Sequence, residues 1–152
     1  MKILMVCTGN ICRSPMAEGI ARFLLQAAGR DDISVDSAAT LPYHTGKAPD
    51  PRACRVMRAH NMPIDDLRAR TFTVEDFYSF DLILVADHEH YHYLTARSPQ
   101  DEHCAEVAYM LDTLPDDPGA DLPDPYYGDA ADFESTFALL DAALRARFAT
   151  LR

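Results

Sequence analysis

Short continuous apolar runs alternate with longer stretches of helical spacing along this chain. Ile3-Leu4-Met5-Val6 has strand character and stops at Cys7, after which Thr8, Gly9 and Asn10 favour a tight turn. Pro15 suits the first turn of a helix, and Met16, Ile20, Phe23, Leu24 and Ala27 recur at helical spacing until Gly29. Ile33-Ser34-Val35-Asp36-Ser37 alternates as a second strand and runs into a loop, Leu41 to Ala48. Asp50-Pro51 reads as an N-cap and first-turn proline, opening a helix to about Asn61 that buries Cys54 and Met57. After Pro63 breaks the chain, Thr73-Val74-Glu75-Asp76 gives a capping-like start to a short helix ending near Ser79.

The run Asp81-Leu82-Ile83-Leu84-Val85-Ala86 is continuously apolar, as a strand covered on both faces must be. Asp87 then caps a helix from His88 to Ala96, closed by Ser98-Pro99, and Ala105 to Met110 is a fourth strand, with Cys104 before it as a buried small hydrophobe. From Asp112 to Asp132 the chain is rich in Pro, Gly and Asp and predicts a long irregular loop. Phe133, Phe137, Leu140, Leu144 and Phe148 mark a final amphipathic helix. Strands alternating with helices predict an α/β fold in three layers, a four-stranded parallel sheet with helices on both faces. Ligands in such sheets bind beyond the carboxyl ends of the strands, where Cys7 stands.

Composition narrows this picture. The length of 152 residues predicts one domain, residues 1–152, able to bury a core without staples. A formal net charge of −10 leaves no basic surplus for phosphate backbones or anionic lipid, so nucleic acid and membrane surfaces are not expected partners. No signal peptide is visible, and no run approaches the length of about 20 apolar residues that spans a bilayer. The cysteines at 7, 12, 54 and 104 are scattered, with no metal-binding pair among them. Free thiols predict a cytoplasmic protein without cofactor or metal.

The candidate chemistry is concentrated in the eight residues from Cys7 to Ser14. A strand-loop-helix junction aims backbone N–H groups and the positive end of a helix dipole into one small hollow, which suits a tetrahedral dianion. A thiol on its floor is favoured as thiolate by those dipoles and by Arg13, whose planar fork also suits phosphoryl oxygens. This is the layout for cysteine-dependent phosphoryl transfer. An acid is still required, and Asp112, Asp116, Asp117, Asp121, Asp124 and Asp129 all lie in the irregular loop. Prolines on both sides stiffen Asp124 alone. A rival pattern lies elsewhere: His88-Glu89-His90-Tyr91-His92 contains His-Glu-x-x-His, the zinc-hydrolase spacing, here in the first turn of a short helix and without a convincing third ligand.

Cys7-Thr8-Gly9-Asn10-Ile11-Cys12-Arg13-Ser14, continued by Pro15-Met16-Ala17-Glu18 and joined by the distant Asp124-Pro125-Tyr126-Tyr127, resembles the low-molecular-weight protein tyrosine phosphatases over nearly the whole chain. The resemblance implies strand order 2-1-3-4, Cys7 as nucleophile, Arg13 and the loop Thr8, Gly9, Asn10, Ile11, Cys12 and Ser14 as phosphate cradle, and Asp124 as general acid and base. It further implies that Ser37 braces the loop, that Tyr43, Tyr126 and Tyr127 wall the pocket, and that Cys12 is a redox partner for Cys7. The partners implied are a phosphotyrosine protein or peptide, an autophosphorylating tyrosine kinase among them, with phosphate or another oxyanion in the loop. Two neighbouring families share the loop. Arsenate reductases need a further cysteine pair, absent from Ala86 to Gln100, and protein arginine phosphatases typically carry threonine where Ile11 stands. The family usually has a histidine where Leu67 stands, so here the loop must be braced in another way.

Overall fold

The computed structural model describes residues 1–114 and 119–151. Four parallel strands, β1 (Lys2–Cys7), β2 (Ser34–Ala39), β3 (Leu82–Val85) and β4 (Glu106–Tyr109), form one sheet in the expected order β2-β1-β3-β4. The register sets Cys7 opposite Ala39 and Val6 opposite Val85, so the carboxyl ends of β2, β1 and β3 finish within one residue of one another.

Side chains alternate across β1 and β3, and both faces are covered. Ile3, Met5, Leu82 and Leu84 point into the larger core with α1 (Arg13–Ala27), α2 (Pro51–Ala59) and α5 (Ala130–Ala149). Leu4, Val6, Ile83 and Val85 meet Phe77 of α3 (Asp76–Ser79) and Leu94 of α4 (His88–Thr95) on the opposite face. Each fully buried aliphatic side chain of this kind contributes roughly 1.5–3 kcal/mol. The burial explains why β1 and β3 read as unbroken apolar runs. Gly19 permits a close approach of α1 to the chain after α2, since a Cβ there would stand 2.4 Å from Ile64 Cγ2.

Three expectations are corrected. The last helix begins at Ala130, before Phe133, because Asp129 accepts N–H bonds from Ala131 and Asp132 while Asp132 answers with a bond from the Asp129 N–H; this capping box converts part of the presumed loop into helix. Cys104 is only half-buried, its Sγ donating to the Asp101 carbonyl at 3.2 Å. The second helix ends at Ala59, two residues short of Asn61, whose φ of 60° lies in the left-handed region. Asp116 and Asp117, two of the candidate acids, lie outside the described residues. Among the described residues no helix is long and apolar enough to cross a membrane.

Candidate active site

Cys7 ends β1 and Arg13 begins α1, so the five residues between them must turn the chain through a tight loop. Asn10 takes the turn with φ 58°, a conformation that asparagine tolerates better than most residues. Its side chain secures it. Nδ2 donates to Ser14 Oγ at 2.8 Å and to Ser37 Oγ at 2.9 Å, while Oδ1 accepts the Arg70 N–H at 3.0 Å. Gly9 has no room for a side chain, because a Cβ would meet the His44 ring at 2.9 Å. At the far side the Ile11 carbonyl accepts the Asp50 N–H at 2.8 Å, and Asp50 caps α2.

The first N–H groups of a helix lack partners within it, and that of Ser14 faces Cys7 Sγ at 3.4 Å. Ser14 Oγ stands 3.0 Å from the same sulfur. The thiol therefore sits against the positive end of α1, buried, with a hydroxyl beside it. Arg13 is almost wholly buried. One nitrogen, Nη1, donates to Asp87 Oδ2 at 2.8 Å and to the Leu122 carbonyl at 2.9 Å; the other, Nη2, reaches 3.5 Å from Thr8 Oγ1 and 3.6 Å from Asp124 Oδ2. Burial alone would pull the guanidinium pKa down, but the charges of Cys7, Asp87 and Asp124 hold it above its ordinary value. Burial would likewise push the Asp87 carboxyl up, and the hydrogen bond and charge of Arg13 bring it below the ordinary range.

A cavity of about 220 Å³ opens over this loop. Cys7, Thr8 and Arg13 form its floor, Ile11, Cys12 and His44 its flank, and Asp124 with Tyr43, Tyr126 and Tyr127 its rim. Tyr127 is 91% exposed and packs edge-on against Tyr126 at 4.9 Å. The rim segment is tethered by Arg52, which pairs with Asp50 at 3.0 Å, donates to the Tyr126 and Gly128 carbonyls, and lies 4.6 Å from the Phe133 ring centre. Burial, then the charges of Asp50 and Cys7, push the Cys12 thiol strongly up, so it stays protonated. All four cysteines are free.

Leu67 packs on the larger core, and the loop is braced without a polar group at that position. Ser37 Oγ passes the bond from Asn10 onward to Glu18 Oε1 at 2.6 Å, and Glu18 is 4% exposed. Burial in the main raises this carboxyl to about 7, with Asp36 adding to the rise. A carboxyl harder to ionise when folded than unfolded binds extra protons in the native state, so stability falls as pH rises from about 4.5 to about 7. Glu18→Gln is expected to flatten that slope, as urea midpoints at pH 5, 6 and 7 would reveal; an unchanged slope would place the proton elsewhere.

The contacts by which Asp87, Leu122, Arg52, His44, Glu18 and His90 touch the loop or its supports are not legible in the sequence. As text, Asp87 reads as a helix cap and His90 as part of the His-Glu-x-x-His pattern between His88 and His92. Of those two, His88 Nδ1 is bonded to Asp121 Oδ2 at 2.6 Å, and the His88 and His92 rings meet at right angles, 6.1 Å apart. Among the described residues no three His, Cys, Asp or Glu side chains gather as metal ligands.

Comparison with known proteins agrees with this geometry. The family model described as low molecular weight phosphotyrosine protein phosphatase matches residues 2–152. A human protein of that name is 38% identical over 136 residues, covering 89% of this chain and 85% of the relative. The low molecular weight protein-tyrosine-phosphatase of Streptomyces coelicolor is 36% identical over 154 residues, covering 99% and 93%. Among solved structures, a protein tyrosine phosphatase from Entamoeba histolytica with Hepes in its active site superposes with a TM-score of 0.91 at 32% identity, covering 98% of this chain and 95% of that one. Vibrio vulnificus Wzb in complex with benzylphosphonate gives a TM-score of 0.86 at 28% identity, covering 99% and 98%. The chain belongs to the low molecular weight phosphotyrosine protein phosphatase family.

Proposed function

We propose that this chain hydrolyses phosphotyrosine in proteins or peptides, with Cys7 as nucleophile and Asp124 as acid and then base. The observation that carries the reading is the convergence of a buried thiol, a buried guanidinium and a half-exposed carboxylate on one cavity rimmed by three tyrosines.

In the first step the Cys7 thiolate attacks phosphorus in line, the bond to the phenolic oxygen breaks, and protonated Asp124 gives its proton to that oxygen. Arg13 Nη2 and the loop N–H groups hold the three equatorial oxygens, where the charge of such a transition state resides. In the second step water attacks the cysteinyl-phosphate, Asp124 takes the water's proton, and the phosphorus–sulfur bond releases the thiolate. Ser14 Oγ, beside Sγ, stabilises the departing sulfur. Cys12, kept protonated, takes no part in turnover; as the neighbouring thiol it can close a disulfide when Cys7 is oxidised. A thiolate nucleophile needs a reducing compartment, which favours the cytoplasm as the place of action.

Substrate class follows from the cavity's shape. A nucleophile on the floor beneath aromatic walls reaches phosphorus most readily at the end of a long planar side chain. Ile11 presents no hydroxyl to a guanidinium-linked phosphate, and the paired Tyr126 and Tyr127 offer stacking surface to a phenyl ring. Phosphotyrosine peptides are therefore expected to be hydrolysed at least about 100-fold faster, by kcat/KM, than phosphoserine or phosphoarginine peptides of the same sequence, a difference of roughly 2.7 kcal/mol in the transition state. Equal rates on phosphoarginine would move the chain to the neighbouring family.

A further inference from the structure

His90 lies in the first turn of α4 and is 2% exposed, yet one ring nitrogen reaches across to the cysteine loop. Its Nε2 stands 2.8 Å from Thr8 Oγ1. At the other side of the ring, Nδ1 accepts the backbone N–H of Asp87 at 3.3 Å, completing the capping box that opens α4. An N–H aimed at Nδ1 leaves that nitrogen without a hydrogen of its own, so in the neutral ring the proton rests on Nε2. Asp87 Oδ1 also lies 3.2 Å from Nδ1, but that oxygen takes the N–H groups of Glu89 and His90, and Oδ2 takes Arg13. Burial first, with the charge of Arg13 assisting, lowers His90 to about 4 against the opposing pull of Asp87, Asp124 and Asp121; the ring is neutral at working pH.

The consequence falls on Thr8. Its hydroxyl oxygen receives the Nε2–H of His90 and faces Arg13 Nη2, itself only a donor, at 3.5 Å. With both lone pairs directed at donors, the hydroxyl hydrogen has to be given to a third group. Thr8 lines the cavity with Cys7 and Arg13, where an oxyanion bound over the thiol would supply the acceptor. We propose that His90 is a positioning residue that turns the Thr8 hydroxyl into a further hydrogen-bond donor to the anion held over Cys7. This rests on the reading of the loop as a phosphoryl cradle. It adds a side-chain donor to the loop amides and Arg13, fixed by a residue more than eighty positions away.

The test compares inhibition by inorganic phosphate and vanadate, together with kcat/KM on a phosphotyrosine peptide, in wild type, Thr8→Val, His90→Phe, His90→Gln and the Thr8→Val/His90→Phe double variant. Losing one donor to a charged group should weaken phosphate binding and kcat/KM by roughly 10- to 100-fold in Thr8→Val and in His90→Phe. The double variant should lose no more than either single one, since both remove the same hydrogen bond. His90→Gln, which keeps an N–H donor, should recover part of the loss. Losses that multiply in the double variant overturn the proposal. So does wild-type phosphate inhibition in Thr8→Val, which leaves α4 untouched and decides the matter even where His90→Phe does not fold. A wild-type protein inert toward aryl phosphates would instead overturn the phosphatase reading itself.

Discussion

Cys7→Ser is expected to reduce aryl phosphate hydrolysis by about 10⁴-fold or more while leaving phosphate bound in the cradle. The substitution exchanges one atom on the cavity floor for a smaller one, so nothing in the loop around it is crowded. A hydroxyl in that place is a far weaker nucleophile than a thiolate. An aliphatic alcohol is much harder to ionise than a thiol, and the groups bonded to the atom at this position, the Ser14 hydroxyl and N–H, are not bases. Cys12 offers no substitute, being buried and held protonated by its surroundings. Steady-state turnover and phosphate binding by calorimetry, measured on the same preparation, separate lost chemistry from lost folding. Retention of a tenth or more of the wild-type rate would remove Cys7 from the nucleophile's role.

How far these residues announced themselves depends on where in the chain they lie. The run from Ile3 to Ala27 was legible because strand, loop and helix are contiguous, and a thiol six residues ahead of an arginine is a pattern on one line of sequence. The sheet was legible too. Unbroken apolar runs at β1 and β3 follow from burial on both faces, and parallel pairing follows from the intervening helices. What the chain concealed were the supports brought in by pairing β1 with β3. That register carries Asp87 and His90 to the loop, where they fix Arg13 and meet Thr8, although as text they belong to a histidine-rich helix start that imitates a metal motif. Glu18 was hidden differently. It falls on an α1 face that looks ordinary until Ser37 is known to face it across the sheet edge. With leucine at position 67, the chain of bonds from Asn10 through Ser37 ends on the buried carboxyl of Glu18.

Asp124→Asn is expected to lower kcat/KM on phosphotyrosine peptides by about 10²- to 10⁴-fold, with the loss growing as the leaving group becomes more basic. Asp124 sits on the rim with 42% of its side chain exposed, its Oδ2 3.6 Å from Arg13 Nη2, so it is accessible both to the departing oxygen and to the water that follows. Its Oδ1 accepts the Tyr126 N–H at 3.1 Å, a bond that an asparagine carbonyl can keep. With Arg52 still anchoring the Tyr126 and Gly128 carbonyls, the segment stays in place, and the variant lacks the transferable proton together with the charge beside Arg13. A tyrosine phenolate, whose conjugate acid has a pKa of about 10, departs poorly unless protonated; a nitrophenolate departs readily by itself. The ratio of wild-type to variant rates, plotted against leaving-group pKa for a series of substituted phenyl phosphates, should therefore rise steadily. A flat plot would mean that Asp124 acts through the shape or charge of the rim, and that another group on the cavity supplies the proton.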